Sequence, residues 1–221
     1  MKRRPKNCKH TAKLVRIDPL APEPDLIRQG VDVLGHGGLL VFPTSGLYGV
    51  GADALNPAAI QRIYDIKRRP VHHPILVLLA DMRELSRLVR QVPQRSEPLL
   101  ERLWPGGITF IFEASDRVPE VLSAGTGKIG VRLPAHPVAK ALAGQFGGAI
   151  TATSANLSGQ PPVSSISALD DAVGDAVDLT IDAGRLAGGP GSSIVDVTCR
   201  PFRIIREGAV SRKEIEAAQI D

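Results

Sequence analysis

Residues 39–70, LLVFPTSGLYGVGADALNPAAIQRIYDIKRRP, contain an apolar run, a glycine-rich turn and an amphipathic run in immediate succession. LLVFPT is apolar until proline stops it, the mark of a buried strand. Gly46, Gly49 and Gly51 then let the backbone fold tightly or approach a ligand. NPAAIQRIYDIKRR predicts a helix: Asn56 is the N-cap, Pro57 sits in the first turn, and the basic residues fall in the last turn, where the helix dipole favours them. Pro70 forces the chain away.

The same alternation extends outward in both directions. Helices are predicted for PEPDLIRQGVDVLGHGG, for DMRELSRLVR with Asp81 as cap, for EPLLERLW, for HPVAKALAGQFGG, for the short ISALDDAVG, and for SRKEIEAAQ with Ser211 as cap. Strands are predicted for PILVLLA, ITFIFE, KIGVRLP, AITATS, DLTIDAG, SSIVDVT and FRIIREG. Strand–helix alternation implies parallel pairs, and the strands clustered in the last third imply antiparallel ones. The expected fold is mixed α/β (α+β), a single twisted sheet of parallel and antiparallel strands flanked by helices. No linker cuts the chain, so one domain is expected over 14–221, after a basic, flexible tail at 1–13. LSGQPPVSSIS, 157–167, is the most loop-like stretch.

Composition narrows the function. The chain has 221 residues, 43% hydrophobic and 23% charged, which is ordinary globular usage. Aromatics at 4% are few for a protein that stacks bases along a single strand. A net charge of +4 permits an anionic ligand or RNA and demands neither. Cys8 and Cys199 make neither a disulfide framework nor a zinc spacing. The start MKRRPKNCKHTAKLVRID lacks the apolar core of a secretory signal, and no run reaches membrane-spanning length. A cytoplasmic protein without membrane attachment is expected.

Several motifs fail on context. GTGKIG, Gly125–Gly130, has the letters of a dinucleotide fingerprint but runs into the strand VRLP, not a helix. As a P-loop it places Leu122 where glycine belongs and Ile129 where Ser or Thr binds magnesium. His36, His72, His73 and His136 share no metal-ligand spacing with acids or cysteines.

Four polar clusters at the ends of apolar runs survive, where sites lie in helix-flanked sheets. The first is FPTSGLYGVGADA, otherwise a glycine-rich hairpin. In the second, Lys67 and Arg69, two apart in KRRP, project to one side if the backbone is extended, and such exposed cations suit a triphosphate. A basic helix end in water is the alternative. The third is ITATSANLSG, where Ser154 and Asn156 can fix a phosphate, carboxylate or sugar hydroxyl, or make an Asx turn. The fourth is GRLAGGPGSSIVDV, an anion nest or a flexible loop. Together they point to a polyphosphate ligand, with magnesium carried by the phosphates and no protein cage for it.

LLVFPTSGLYGVGADA, IYDIKRRP, LWPGGITF, IGVRLPAHP, ITATSANLSG, SSIVDV and IIREG stand in the order seen in the YrdC-like family of threonylcarbamoyl-AMP synthases. The chain resembles that family over about residues 25–210, with K-x-R (Lys67, Arg69) followed by S-x-N (Ser154, Asn156). The resemblance implies a nucleotidyltransferase that joins L-threonine, bicarbonate and ATP into threonylcarbamoyl-AMP and pyrophosphate. It also implies a partner transferase machinery that modifies tRNA, and a weak contact to tRNA or RNA is compatible with the basic tail. By position, Lys67 and Arg69 would hold ATP phosphates, and Ser154 and Asn156 the nucleotide and carbamoyl end. Thr44 would lie near threonine, and Thr109 and Arg132 would line the cleft, with Thr109 toward ATP and Arg132 and Ser154 toward threonine. Ser192 and Arg206 would close over ATP.

Two departures stand out. Ser45 replaces the glutamate of the common Pro-Thr-Glu, and Leu78 stands where many members carry a threonine-binding histidine. Such departures also suit a relative similar to the YciO branch, acting on RNA or nucleotide by binding, or a carbamoyl-adenylate chemistry. The resemblance is to the short form, without the C-terminal domain of the longer synthases.

Overall fold

The computed structural model describes residues 13–219. The expected tail lies outside the described residues apart from Lys13, which opens the first strand. The strands are β1 (Lys13–Arg16), β2 (Leu40–Pro43), β3 (Tyr48–Gly51), β4 (Val77–Leu78), β5 (Ile108–Glu113), β6 (Lys128–Arg132), β7 (Ile150–Thr151), β8 (Thr153–Ser154), β9 (Leu179–Asp182), β10 (Ser193–Asp196) and β11 (Arg203–Arg206). The helices are α1 (Pro24–Gly35), α2 (Pro57–Lys67), α3 (Leu85–Leu88), α4 (Glu97–Leu103), α5 (Glu120–Ser123), α6 (Pro137–Phe146), α7 (Asp171–Gly174) and α8 (Arg212–Ala217).

The caps form as their chemistry dictates. Asn56 Oδ1 accepts from the Ala58 and Ala59 amides at 3.1 and 3.2 Å, and Ser211 and Glu214 close a reciprocal capping box. Two predicted helices are shorter than expected. DMRELSRLVR forms a 3₁₀ turn, capped by Asp81, and then the single turn α3; ISALDDAVG forms a 3₁₀ turn and α7.

The mixed strand directions match expectation, but the strands partition into two sheets, not one. The five-stranded sheet has the order β1-β9-β2-β3-β8 and the six-stranded sheet β11-β10-β5-β6-β4-β7. The division falls inside AITATS. Ile150–Thr151 pairs antiparallel with β4, while Thr153–Ser154, beyond Ala152, pairs antiparallel with β3. One segment therefore serves both sheets, and Asp53, just past β3, bridges back to Ile150. This seam turns the sheets toward a common concavity.

Period-two alternation sends β2 into two cores. Leu39 and Val41 belong to a cluster shared with Phe110, Val131 and Val195 of the six-stranded sheet. Leu40 and Phe42 face the other way, against Leu34 of α1 and Val138 and Leu142 of α6. Burial of this kind, at about 25 cal/mol per Å² of apolar surface, is the main force holding the strands that carry the site.

Candidate active site: a cation-lined cavity between the sheets

A cavity of about 630 Å³ opens where the two sheets meet. Its floor is one face of the six-stranded sheet. On β5, Thr109 and Ile111 face the cavity, while Phe110 and Phe112 are buried in the core. Beside β5, β6 contributes Lys128, Gly130 and Arg132, and the β10 side contributes Ser192, Ile194 and Asp196. Each set is spaced by two, as a strand requires for one face. Thr44, Ser154 and Asn156 come from the five-stranded side and the seam.

Of the nine residues expected at the site, Thr44, Arg69, Thr109, Arg132, Ser154, Asn156, Ser192 and Arg206 line this cavity. Lys67 does not. The extended geometry expected for KRRP does not form either. Lys67 is the last residue of α2, and Arg68 caps the helix in the left-handed region at φ 48°. The Arg69 amide bonds back to the Tyr64 carbonyl at 2.9 Å, in the manner of a helix C-cap. Lys67 is therefore no exposed cleft cation. It is 1% exposed, and its ammonium donates to the backbone carbonyls of Ser154 and Asn156. Burial above all, and then the charge of Arg69, push its pKa down to about 8.

Four arginines line the cavity, Arg69, Arg132, Arg203 and Arg206, and three of them are braced by backbone carbonyls at its wall. Arg69 is braced by donating from Nε to the His73 carbonyl at 3.0 Å and from Nη2 to the Pro74 carbonyl at 2.8 Å. Arg132, 7% exposed, donates from Nε to the Gly106 carbonyl at 2.7 Å and from Nη2 to Ser45 Oγ. Burial first, and then the neighbouring Arg206 charge, lower its pKa to about 10. Arg206 donates from Nε and Nη2 to the Ser192 carbonyl at 3.0 and 2.6 Å. Among the described residues none of the three has a carboxylate partner within 4.0 Å. Arg69 is half-buried and Arg206 exposed, but for Arg132 a buried positive charge without an anion is a costly arrangement that an anionic ligand relieves.

The small polar groups are placed with equal definition. Thr109 Oγ1 and Ser192 Oγ share a buried hydrogen bond of 3.0 Å. Thr44 Oγ1 donates to the Leu47 carbonyl at 2.6 Å. Asn156 donates both Nδ2 protons, to the Leu157 and Gln160 carbonyls at 2.8 and 2.7 Å, so its amide orientation is set by bonding. Its Oδ1 is buried without a partner, an acceptor facing a need for a donor.

Sequence reasoning missed Arg203 and the Lys128–Asp196 pair on the cavity wall. Lys128 donates to Asp196 Oδ2 at 2.9 Å and to Thr198 Oγ1 at 2.7 Å, on the cavity wall. Burial would raise the Asp196 carboxyl, but hydrogen bonds from Thr198 and Lys128 outweigh it and lower it. Counting back by twos from Arg132 finds Lys128; the rejected GTGKIG motif had hidden it. Both departures in the sequence also fall here. Ser45 is the acceptor for Arg132, and Leu78 lies on the cavity wall in register with Arg132.

A model of the Sua5/YciO/YrdC family, described as "Telomere recombination", matches residues 32–208. The chain belongs to the Sua5/YciO/YrdC family. The family's threonylcarbamoyl-AMP synthase from Pyrococcus abyssi is 36% identical over 191 residues, covering 86% of this chain and 56% of that protein. The structure of P. abyssi Sua5 complexed with L-threonine has a TM-score of 0.86 at 32% identity, covering 93% of this chain and 60% of that one. YciO of E. coli has a TM-score of 0.82 at 30% identity, covering 90% of this chain and 96% of that one. This member of the family thus spans little more than half the length of the P. abyssi synthase. Among its described residues no helix is long and apolar enough to cross a membrane.

Proposed function

We propose that this Sua5/YciO/YrdC-family chain is an L-threonylcarbamoyladenylate synthase, acting on L-threonine, bicarbonate and ATP. The observation that carries the reading is the convergence of Arg69, Arg132 and Arg206, none with a carboxylate partner among the described residues, on one cavity furnished with Thr109, Ser192 and Asn156. The likeness to synthases and to a threonine-bound relative supports it.

The chemistry suits such a site. The threonine amine and bicarbonate condense to a carbamate with loss of water. A carbamate oxygen then forms a bond to the α-phosphorus, the bond from that phosphorus to the bridging oxygen breaks, and pyrophosphate leaves. Attack and departure need alignment and charge neutralisation more than a protein nucleophile. Guanidiniums supply forked donors to phosphate and carboxylate oxygens, fixed in advance by the carbonyls that brace them. Magnesium enters as part of the substrate, on the triphosphate. Among the described residues no three His, Cys, Asp or Glu side chains gather as a cage, and Asp196, the one carboxylate on the cavity wall, is engaged by Lys128 and Thr198. The product would pass to a transferase machinery that modifies tRNA.

The test is pyrophosphate release from Mg·ATP and bicarbonate, with threonine and then other amino acids in turn. Release that depends on threonine is expected. Nucleotide binding without amino-acid-dependent release would overturn the reading in favour of a binding protein, and release supported by carbamoyl phosphate would favour carbamoyl-adenylate chemistry. The amino-acid series also reads the effect of Leu78 and Ser45 on the substrate.

A further inference from the structure

We infer that Lys67 is a positioning residue that builds the Ser154–Asn156 wall of the cavity from behind, and that it does not touch the ligand's phosphates. Lys67 is 1% exposed and is absent from the cavity lining, whereas Arg69, two residues on, is part of it. Its ammonium spans two carbonyls, Ser154 and Asn156, which are 87 and 89 residues away in the chain. The attachment is reciprocal: the Ser158 amide donates to the Lys67 carbonyl at 2.8 Å. Between these anchors the Asn156 amide donates to the Ser154 carbonyl at 2.9 Å, closing a tight turn. Two carbonyls that a turn aims inward need a donor there, and a buried ammonium supplies charge-assisted bonds to both.

The consequence lies on the other side of the wall. With the Ser154 and Asn156 carbonyls held, the Asn156 side chain spends both N–H groups on the Leu157 and Gln160 carbonyls, and only its Oδ1 remains. Ser154 and Asn156 are on the cavity surface. Lys67 therefore sets the geometry of the Ser154–Asn156 turn, whose residues line the cavity, and of the buried Asn156 Oδ1 beside it, without contributing a contact of its own. Phosphate charge is met by Arg69 and Arg206. This role rests on the synthase reading for the identity of the ligand, but its structural half is independent of it.

Two measurements on Lys67→Met separate the roles. The first is amide hydrogen exchange in the protein without ligand. The Asn156 and Ser158 amides are expected to exchange about tenfold faster, with β5 and β6 unchanged. Unchanged protection at 156 and 158 overturns the inference, whatever the protein's activity. The second is the affinity for ATP and for AMP. A positioning role weakens both by about tenfold and leaves their ratio within about twofold, because AMP and ATP share the wall and differ in phosphates. Loss of ATP's advantage over AMP, as expected for Arg206→Met, means that Lys67 touches the phosphates and overturns the inference. In an Asn156→Ala background the Lys67→Met effect on affinity should largely vanish, because the residue acts through that wall. If Lys67→Met does not fold, Lys67→Gln keeps one pair of N–H donors and the same comparisons apply. Failure of the wild type to bind either nucleotide sinks the synthase reading, and the exchange measurement still decides the role of Lys67.

Discussion

Arg132 holds a buried positive charge at the centre of the site with only the neutral acceptors Gly106 O and Ser45 Oγ. Its neighbour Arg206 makes the charge less favourable still. A buried ion that lacks a partner is a drain on stability kept for function, and an apolar side chain of similar length removes the drain. Arg132→Met should therefore keep or raise the melting temperature while pyrophosphate release falls by at least about a hundredfold, the loss expected when a charge-stabilising donor is removed. A loss of more than about 1 kcal/mol in stability would show that the guanidinium is a structural brace. Arg132 was legible only through the family resemblance, which places VRLP at the cleft. Lys67 was misread. A lysine at a helix end beside two arginines looks solvated, and the carbonyls that bury it are more than 80 residues away.

At the scale of elements, the glycine-rich turn and the loop between β9 and β10 hold each other in place. The Gly188 amide donates to the Gly46 carbonyl at 2.9 Å, and a Cβ on Gly46 would stand 2.0 Å from the Gly188 carbonyl oxygen. Only a residue without a side chain permits that approach. The same loop continues into Pro190, Gly191 and Ser192 on the cavity wall. Gly46→Ala should cost about 1–3 kcal/mol, the range for overpacking, and raise the KM for ATP. Thermal melts and steady-state kinetics check both, and an unchanged protein would mean the loop is free to move aside. The glycine cluster was visible in sequence as turn or ligand contact, and it proves to be a backbone-to-backbone contact. PILVLLA shows the limit of reading runs. It announced burial correctly, but only Val77–Leu78 forms ladder pairs, while the Ile75 and Leu79 amides bond to the carbonyls of Leu122 and Arg132. An apolar run reports what is hidden from water, not how far a ladder extends.

For the whole molecule, the question is whether two sheets make one cooperative unit. Sequence periodicity is the same on either side of Ala152, so nothing in AITATS announced that the strand changes sheets there. The structure ties the sheets in two ways. One apolar cluster includes Val41 and Val50 from the five-stranded sheet and Phe110, Val131 and Val195 from the six-stranded sheet. At the seam, Thr151 Oγ1 accepts from the Ala52 amide at 2.9 Å, and the Thr151 amide donates to the Ala52 carbonyl at 2.9 Å, both fully enclosed. Thr151→Val keeps the shape and deletes the acceptor, leaving a buried N–H unpaired at a cost of about 1–3 kcal/mol. A shared core predicts that this loss lowers the melting point of the entire molecule by a few degrees in a single transition, with calorimetric and van't Hoff enthalpies in agreement. If calorimetry instead resolves two transitions and the substitution moves only one of them, the sheets fold as separate units, and the cavity between them would open before either sheet is lost.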